Sequence, residues 1–405
     1  MLKAPRNFKP EPFGYHEEIE LEITDLSNLG HGVGRFNDWV VFVPYALPGE
    51  FVRARIWRNK PRYSDADLVE VLRLSPDRVE PVCGLFGECG GCQYQHYAYA
   101  SQLKWKSRQI EQLLQKMAGI TVPVRGCRGD ANHVYGYRSK LTPHFNRPPH
   151  IPSVPIGFQR ATSRSIVDVR ECPIALASIN EAMQVHRKRL KEEEGRYRKG
   201  GTLLLRDGLD GVETDMRTVI RSQVGKYTFS FIAGEFFQNN PYMLEPLVAY
   251  AVEQASGSDV RFLVDAYCGV GVFGIYGANL FEAVCGIEIN EQAIALAKRN
   301  ATDNGVESIQ FQSGHAEAVF DGLEFPAAQS AVILDPPRKG CDSCFLEQLL
   351  AYSPGRIVYV SCGPDTQARD AAVLVRGGYV VTEVQPFDLF PQTRHIENVI
   401  TFEKV

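Results

Sequence analysis

Two strand-to-loop transitions constrain this chain more than anything else in it: Val332-Ile-Leu-Asp335-Pro-Pro-Arg338, and Arg356-Ile-Val-Tyr-Val-Ser-Cys362-Gly-Pro364. Each reads as a short apolar strand ending in a polar loop. Both tips therefore belong on one rim of a parallel sheet, where open α/β folds bind ligands. From residue 261 onward strands and helices alternate: a strand over 261–265, a turn Ala-Tyr-Cys-Gly-Val-Gly, a strand Ala283–Glu288 and a helix over 292–304. That alternation predicts a doubly wound α/β domain.

At 405 residues the chain has room for two or three cores. Its formal charge of −4 offers no global basic field. Contact with nucleic acid must come from local patches, and the clearest is the run Phe51-Val-Arg-Ala-Arg-Ile-Trp-Arg-Asn-Lys-Pro-Arg-Tyr63, which mixes cations with aromatics. The same run also reads as a solvated strand face. The segment Met1-Leu-Lys-Ala-Pro-Arg lacks the apolar stretch of a signal peptide, and no run of 18 apolar residues is present, so a cytoplasmic protein without membrane contact is expected. In a reducing compartment ten cysteines are not a disulfide framework, and clustered ones point to metal or catalysis.

Residues 16–72 alternate apolar and polar positions between Gly-rich turns, the pattern of a small OB-type barrel. Then come Cys83, Cys89 and Cys92 among glycines, a setting that lets the backbone wrap an inorganic cluster or an ion. Cys172, followed by proline, is the candidate fourth ligand, whereas Cys127 has no such context. Zinc is the alternative occupant of four thiolates. Residues 98–117 carry helical periodicity, and 134–232 mix strands with a charged helix over 180–198.

Gly269 and Gly271 let the backbone approach a ligand at a strand-to-helix turn, without the three-glycine spacing of a pyrophosphate site. Asp265, Glu288 and Asp335 end three strands, and an acid at the place of Glu288 accepts hydrogen bonds from ribose hydroxyls. Together they point to S-adenosylmethionine, a cationic nucleoside without phosphates. Cys268 and Cys285 read as apolar filler, and Cys341 and Cys344 as structural thiols. The two prolines after Asp335 stiffen the loop and remove two backbone donors, an edge that suits a planar base bearing N–H groups. Arg338 stands where many amino methyltransferases carry an aromatic, and a cysteine follows one strand later, so the target is a carbon. C5 of uracil becomes nucleophilic once a thiolate adds at C6, and its proton must then leave to a base. Cys362 fits the nucleophile. Glu397, in a short polar loop before a last strand Val399-Ile-Thr-Phe402, fits the base.

With these residues in order, the chain resembles the RNA 5-methyluridine methyltransferases, in particular the iron–sulfur branch that acts on 23S ribosomal RNA. The resemblance implies a TRAM barrel over 16–75, a mixed α+β central domain over 76–235, with the 98–117 helix packing on the catalytic domain, and a class I (Rossmann-like) methyltransferase domain over 236–405. It implies a [4Fe–4S] cluster on Cys83, Cys89, Cys92 and Cys172. It also implies cofactor contacts from Gln238, Tyr267, Glu288 and Asp335, with Cys362 as nucleophile and Glu397 as base. Gln238, in Phe236-Phe-Gln-Asn-Asn240, is supplied by the resemblance alone. The implied partner is structured RNA, ribosomal in preference to transfer RNA, bound by a monomer. Gly363 stands where the family usually has asparagine, and Val272 occupies another such position. An RNA-binding iron–sulfur protein without activity is the reading from another class.

Overall fold

The computed structural model describes residues 4–145, 155–192, 200–314, 320 and 322–405. They divide into two compact units, one formed by residues 4–105, 158–167 and 392–394, the other by the remainder.

In the first unit five strands, β1 (Glu18–Leu26), β2 (His31–Phe36), β3 (Trp39–Pro44), β4 (Phe51–Asn59) and β5 (Tyr63–Arg73), close into a barrel of order β1-β2-β3-β5-β4. Alternate side chains point inward, and Ile19, Leu21, Ile23, Val41, Val43, Val52, Ala54 and Ile56 fill the interior. The outward positions of β4 carry the basic run, and the structure gives those cations local partners. Arg53 bridges Glu20 and Glu70 at 3.1 and 2.8 Å, Arg55 meets Asp67 at 3.5 Å, and Arg58 meets Asp65 at 2.7 Å. The solvated strand face accounts for these three arginines, and such exposed pairs contribute little to stability.

The second unit is built on seven strands: β6 (Phe262–Ala266), β7 (Ala283–Glu288), β8 (Ile309–Ser313), β9 (Ser330–Leu334), β10 (Arg356–Ser361), β11 (Tyr379–Phe387) and β12 (Glu397–Lys404). Their order is β8-β7-β6-β9-β10-β12-β11, with β6 to β10 parallel and β12 antiparallel to both neighbours. The order reverses between β6 and β9, so the ligand crevice of such a sheet opens above their carboxyl ends. Helices cover both faces, and the central strands are apolar on both sides, with Val264, Val332, Leu334, Ile357 and Tyr359 on one face and Leu263, Ile333, Val358 and Val360 on the other. Short strands Lys140–Leu141, Leu205–Gly208 and Gly211–Glu213, a hairpin Val219–Val224 with Tyr227–Ile232, and a helix Ala177–Glu192 form the α+β part. The rest of the charged helix expected over 180–198, residues 193–198, lies outside the described residues.

The helix Tyr99–Leu113 and the turn after it place Ile110 and Leu114 in the core of the seven-stranded sheet. This helix also carries Lys106, which is wholly buried with Asp388: Nζ donates to Oδ1 at 2.7 Å and to the carbonyl of Phe390 at 3.4 Å. Desolvating both ions is costly, and removing one leaves the other uncompensated. Lys106→Ala is therefore expected to lower the unfolding free energy by about 3–5 kcal/mol, read from urea unfolding curves. A loss below about 1 kcal/mol would mean that water reaches the pair.

Candidate active site

The rim of the seven-stranded sheet is assembled by register. Ala266 pairs with Leu334 and Leu334 with Tyr359, so Tyr267 and Asp335 emerge side by side just past the strand ends. Because β12 runs against β10, its first residue lies where β10 stops. Ser361 pairs with Asn398, and one step further sets Cys362 opposite Glu397. Glu397 thus opens a strand and does not sit in the loop expected from the sequence. It is 1% exposed, where an acid at a loop tip would be solvated.

Three groups act on the half-buried Cys362: Glu397, Asp335 and Arg338. Burial pushes its thiol up to about 11, with the nearby Glu397 and Asp335 carboxyls acting in the same direction, while the charge and hydrogen bond of Arg338 oppose them. Glu397 is held well above the usual carboxylate range by burial and by Asp335, against the pull of Arg338 and a hydrogen bond with Gln238. Its Oε2 and the Oε1 of Gln238 are buried without hydrogen-bond partners. Burial raises Asp335 to about 7. Three carbonyl or carboxyl acceptors therefore converge beside a thiol and a guanidinium. That edge complements a planar base with N–H donors, and buried unpaired acceptors of this kind need a partner.

Gln238 owes its place to groups that carry no sequence signal. Arg206, 1% exposed, donates to Asn239 Oδ1 at 2.8 Å and to the Phe237 carbonyl at 2.9 Å, with its guanidinium over the Phe231 ring. Phe237 stacks on Phe231 at 4.1 Å. Asn240 caps the helix Pro241–Ala255 through the Tyr242 and Met243 amides and donates to the Leu389 carbonyl at 3.0 Å.

Beside this centre lies the glycine turn. Asp265 is wholly buried at 0% exposure, and burial raises it to about 7, although the Gly274 amide at 2.8 Å favours its charge. Its Oδ1 has no partner. Glu288 accepts the Gly269 amide at 3.1 Å on Oε2 and the Ile289 and Asn290 amides at 2.8 and 2.9 Å on Oε1. Those amides fix the carboxylate, and lone pairs remain for ribose hydroxyls. Gly269 has φ +54° and open space where a side chain would stand, and Tyr267 takes φ +63°, a conformation unusual for an aromatic residue. Its ring packs on Phe345 at 4.9 Å. Turn, fixed acid and orphaned carboxylate oxygen fit a bound nucleoside cofactor. Cys268, Cys285 and Cys341 are buried and Cys344 is exposed.

Cys83, Cys89, Cys92 and Cys172, the expected cluster ligands, are all partly buried free thiols. Among the described residues no three His, Cys, Asp or Glu side chains are grouped to hold a metal. The amide and carbonyl of Cys172 are both bonded to the Asn180 side chain. Burial raises the Cys89 thiol. Among the described residues no helix is long and apolar enough to cross a membrane.

A family model described as tRNA (Uracil-5-)-methyltransferase matches residues 212–405, and a TRAM-domain model matches residues 16–69. The tRNA (uracil(54)-C(5))-methyltransferase of Schizosaccharomyces pombe is 40% identical over 419 residues, covering 97% of this chain and 80% of that protein. The protein of the same name from Saccharomyces cerevisiae is 31% identical, covering 96% and 74%. A crystal structure of Pyrococcus abyssi tRNA (uracil-54, C5)-methyltransferase in complex with S-adenosyl-L-homocysteine superposes with a TM-score of 0.73 at 26% identity, over 95% of this chain and all of that one. On these likenesses the chain belongs to the S-adenosylmethionine-dependent RNA (uracil-C5)-methyltransferase family.

Proposed function

We propose that the chain methylates C5 of a uridine in transfer RNA, with Cys362 as nucleophile and Glu397 as base. The observation that carries the chemistry is the register that sets Cys362 opposite a buried Glu397. The transfer-RNA alternative takes the place of the 23S ribosomal target first expected, because the two yeast relatives and the Pyrococcus abyssi structure described above are named for transfer RNA.

The Cys362 thiolate adds to C6 of a base flipped out of its stack, and the electron pair of the C5–C6 double bond moves onto C5 and O4. Bound S-adenosylmethionine supplies the electrophilic methyl group that C5 takes up. Glu397, ionised, accepts the C5 proton, the double bond re-forms, and Cys362 leaves as thiolate. Gln238, Tyr267, Glu288 and Asp335 would hold the cofactor, Glu288 by its ribose, with Asp335 and Gln238 also bordering the target base. Arg338 favours the thiolate of Cys362. A carboxyl that ionises reluctantly is a strong base once ionised, so burial of Glu397 suits proton abstraction.

Both groups must lose a proton, and both are raised. The single-turnover rate on transfer RNA is therefore expected to climb steadily from about pH 6.5 to about pH 9. A flat or falling profile contradicts the assignment. The substrate is tested by mass spectrometry of separated transfer and ribosomal RNA from cells with and without the gene. Loss of 5-methyluridine from transfer RNA is expected, and loss from ribosomal RNA alone overturns the choice of substrate.

A further inference from the structure

Gly363 is bound on both sides by close contacts. A Cβ there would lie 2.7 Å from Thr366 Oγ1 and 2.8 Å from the Arg338 carbonyl oxygen, so the asparagine usual in the family has no room in this packing. The space is used by Thr366, whose hydroxyl lies 2.9 Å from both the Arg338 and the Gly363 carbonyls. It ties the loop bearing Asp335 and Arg338 to the loop bearing Cys362. Further along the helix Pro364–Arg376, Arg369 Nη2 donates to the Lys339 and Cys341 carbonyls at 3.0 and 3.2 Å. Asp370 Oδ2 accepts the Cys341 amide at 2.9 Å and the Tyr359 hydroxyl at 2.8 Å. Gly340, at φ +76°, leaves no space for a side chain against Arg369 and Asp370, both 2.6 Å from its Cβ position.

We propose that Thr366, seated by Gly363, is a positioning residue: it pins the Arg338 loop so that the guanidinium stays against the Cys362 thiol, while Arg369 and Asp370 hold the far end of that loop. This rests on the assignment of Cys362 as nucleophile. Arg338 itself is exposed, and two prolines precede it, so neither burial nor helical structure fixes its backbone. The helix that follows the nucleophile does so. Without the hydroxyl the loop relaxes outward, the thiolate loses its nearest cation, and the thiol becomes harder to ionise.

The test compares Thr366→Val with Thr366→Ser in two measurements. The first is alkylation of the protein alone by iodoacetamide against pH, with the modified Cys362 peptide quantified by mass spectrometry. Thr366→Val is expected to move the midpoint up by about one pH unit, as for loss of a near opposite charge, while Thr366→Ser keeps it. The second is methylation of an unmodified transfer RNA transcript, where kcat falls about tenfold or more with KM for RNA unchanged, again only in the valine variant. Gly363→Ala, which crowds the same hydroxyl, should follow Thr366→Val. An unshifted alkylation midpoint in Thr366→Val, even with a lowered melting temperature, overturns the proposal, as does a serine variant equally impaired. A shifted midpoint in a protein whose wild type leaves transfer RNA unmethylated supports the clip and sinks the substrate reading instead.

Discussion

Cys362→Ala is expected to bind transfer RNA with unchanged affinity and to form no 5-methyluridine. The fall should be on the order of 10⁶-fold, the scale on which loss of an enzymic nucleophile is felt. Binding survives because affinity for RNA is set by phosphate contacts, and the resting thiol, raised to about 11, carries no charge. Folding survives as well, because Cys362 is half-buried and lies just past a strand whose pairing ends at Ser361. Gel-shift binding and methyl-incorporation assays on one transcript check both halves. Methylation at the wild-type rate would remove the covalent step from the mechanism.

Glu397→Gln separates the steps that Cys362→Ala abolishes together. Addition of the thiolate and transfer of the methyl group do not use the carboxylate, whereas release of the C5 proton does. The variant is expected to accumulate a methylated RNA still joined to the protein, stable on a denaturing gel, while turnover drops by about 10²–10⁴. Its stability has a defined sign. The Glu397 carboxyl is protonated more readily in the folded than in the unfolded chain. The wild type therefore has that contribution in full at acid pH and loses it as the pH rises past the ordinary carboxylate range toward the raised value. Glutamine mimics the protonated form, so the variant should melt no lower than the wild type at pH near 8. A variant that turns over without a trapped intermediate would place the base elsewhere.

The sheet was legible in the sequence because its strands are buried on both faces and read as continuous apolar runs between helices, as Ser330–Leu334 and Arg356–Ser361 do. The barrel was legible for the opposite reason, a strict alternation along Glu18–Leu26 and Phe51–Asn59. Cys362 and Asp335 could be placed on one rim from strand ends alone. Glu397 could not, because its burial comes from the antiparallel pairing of the last strand, a non-local fact. Arg206, Lys106 and Thr366 escaped for the same cause: each is an ordinary polar residue whose partner lies 33, 282 or 28 residues away. Glycines beside Cys89 and Cys92 suggest a wrapped metal, but such spacing constrains only neighbours in sequence and leaves the location of a fourth ligand open. The basic run read both as a nucleic-acid patch and as a solvated strand face, and its partners Glu20, Asp65, Asp67 and Glu70 come from other strands of the barrel, which spacing alone does not show.

The covalent step is tested most directly by mapping an arrested intermediate. A transfer RNA transcript carrying 5-fluorouridine has no C5 proton to surrender, so after methyl transfer the enzyme thiol cannot be eliminated. Incubated with the protein and S-adenosylmethionine, then digested and analysed by peptide mass spectrometry, it is expected to yield one nucleotide-bearing peptide, with the added mass on Cys362 and the methyl group on the base. An adduct on another thiol, or methylation of the ordinary transcript with no adduct on the fluorinated one, would contradict the account.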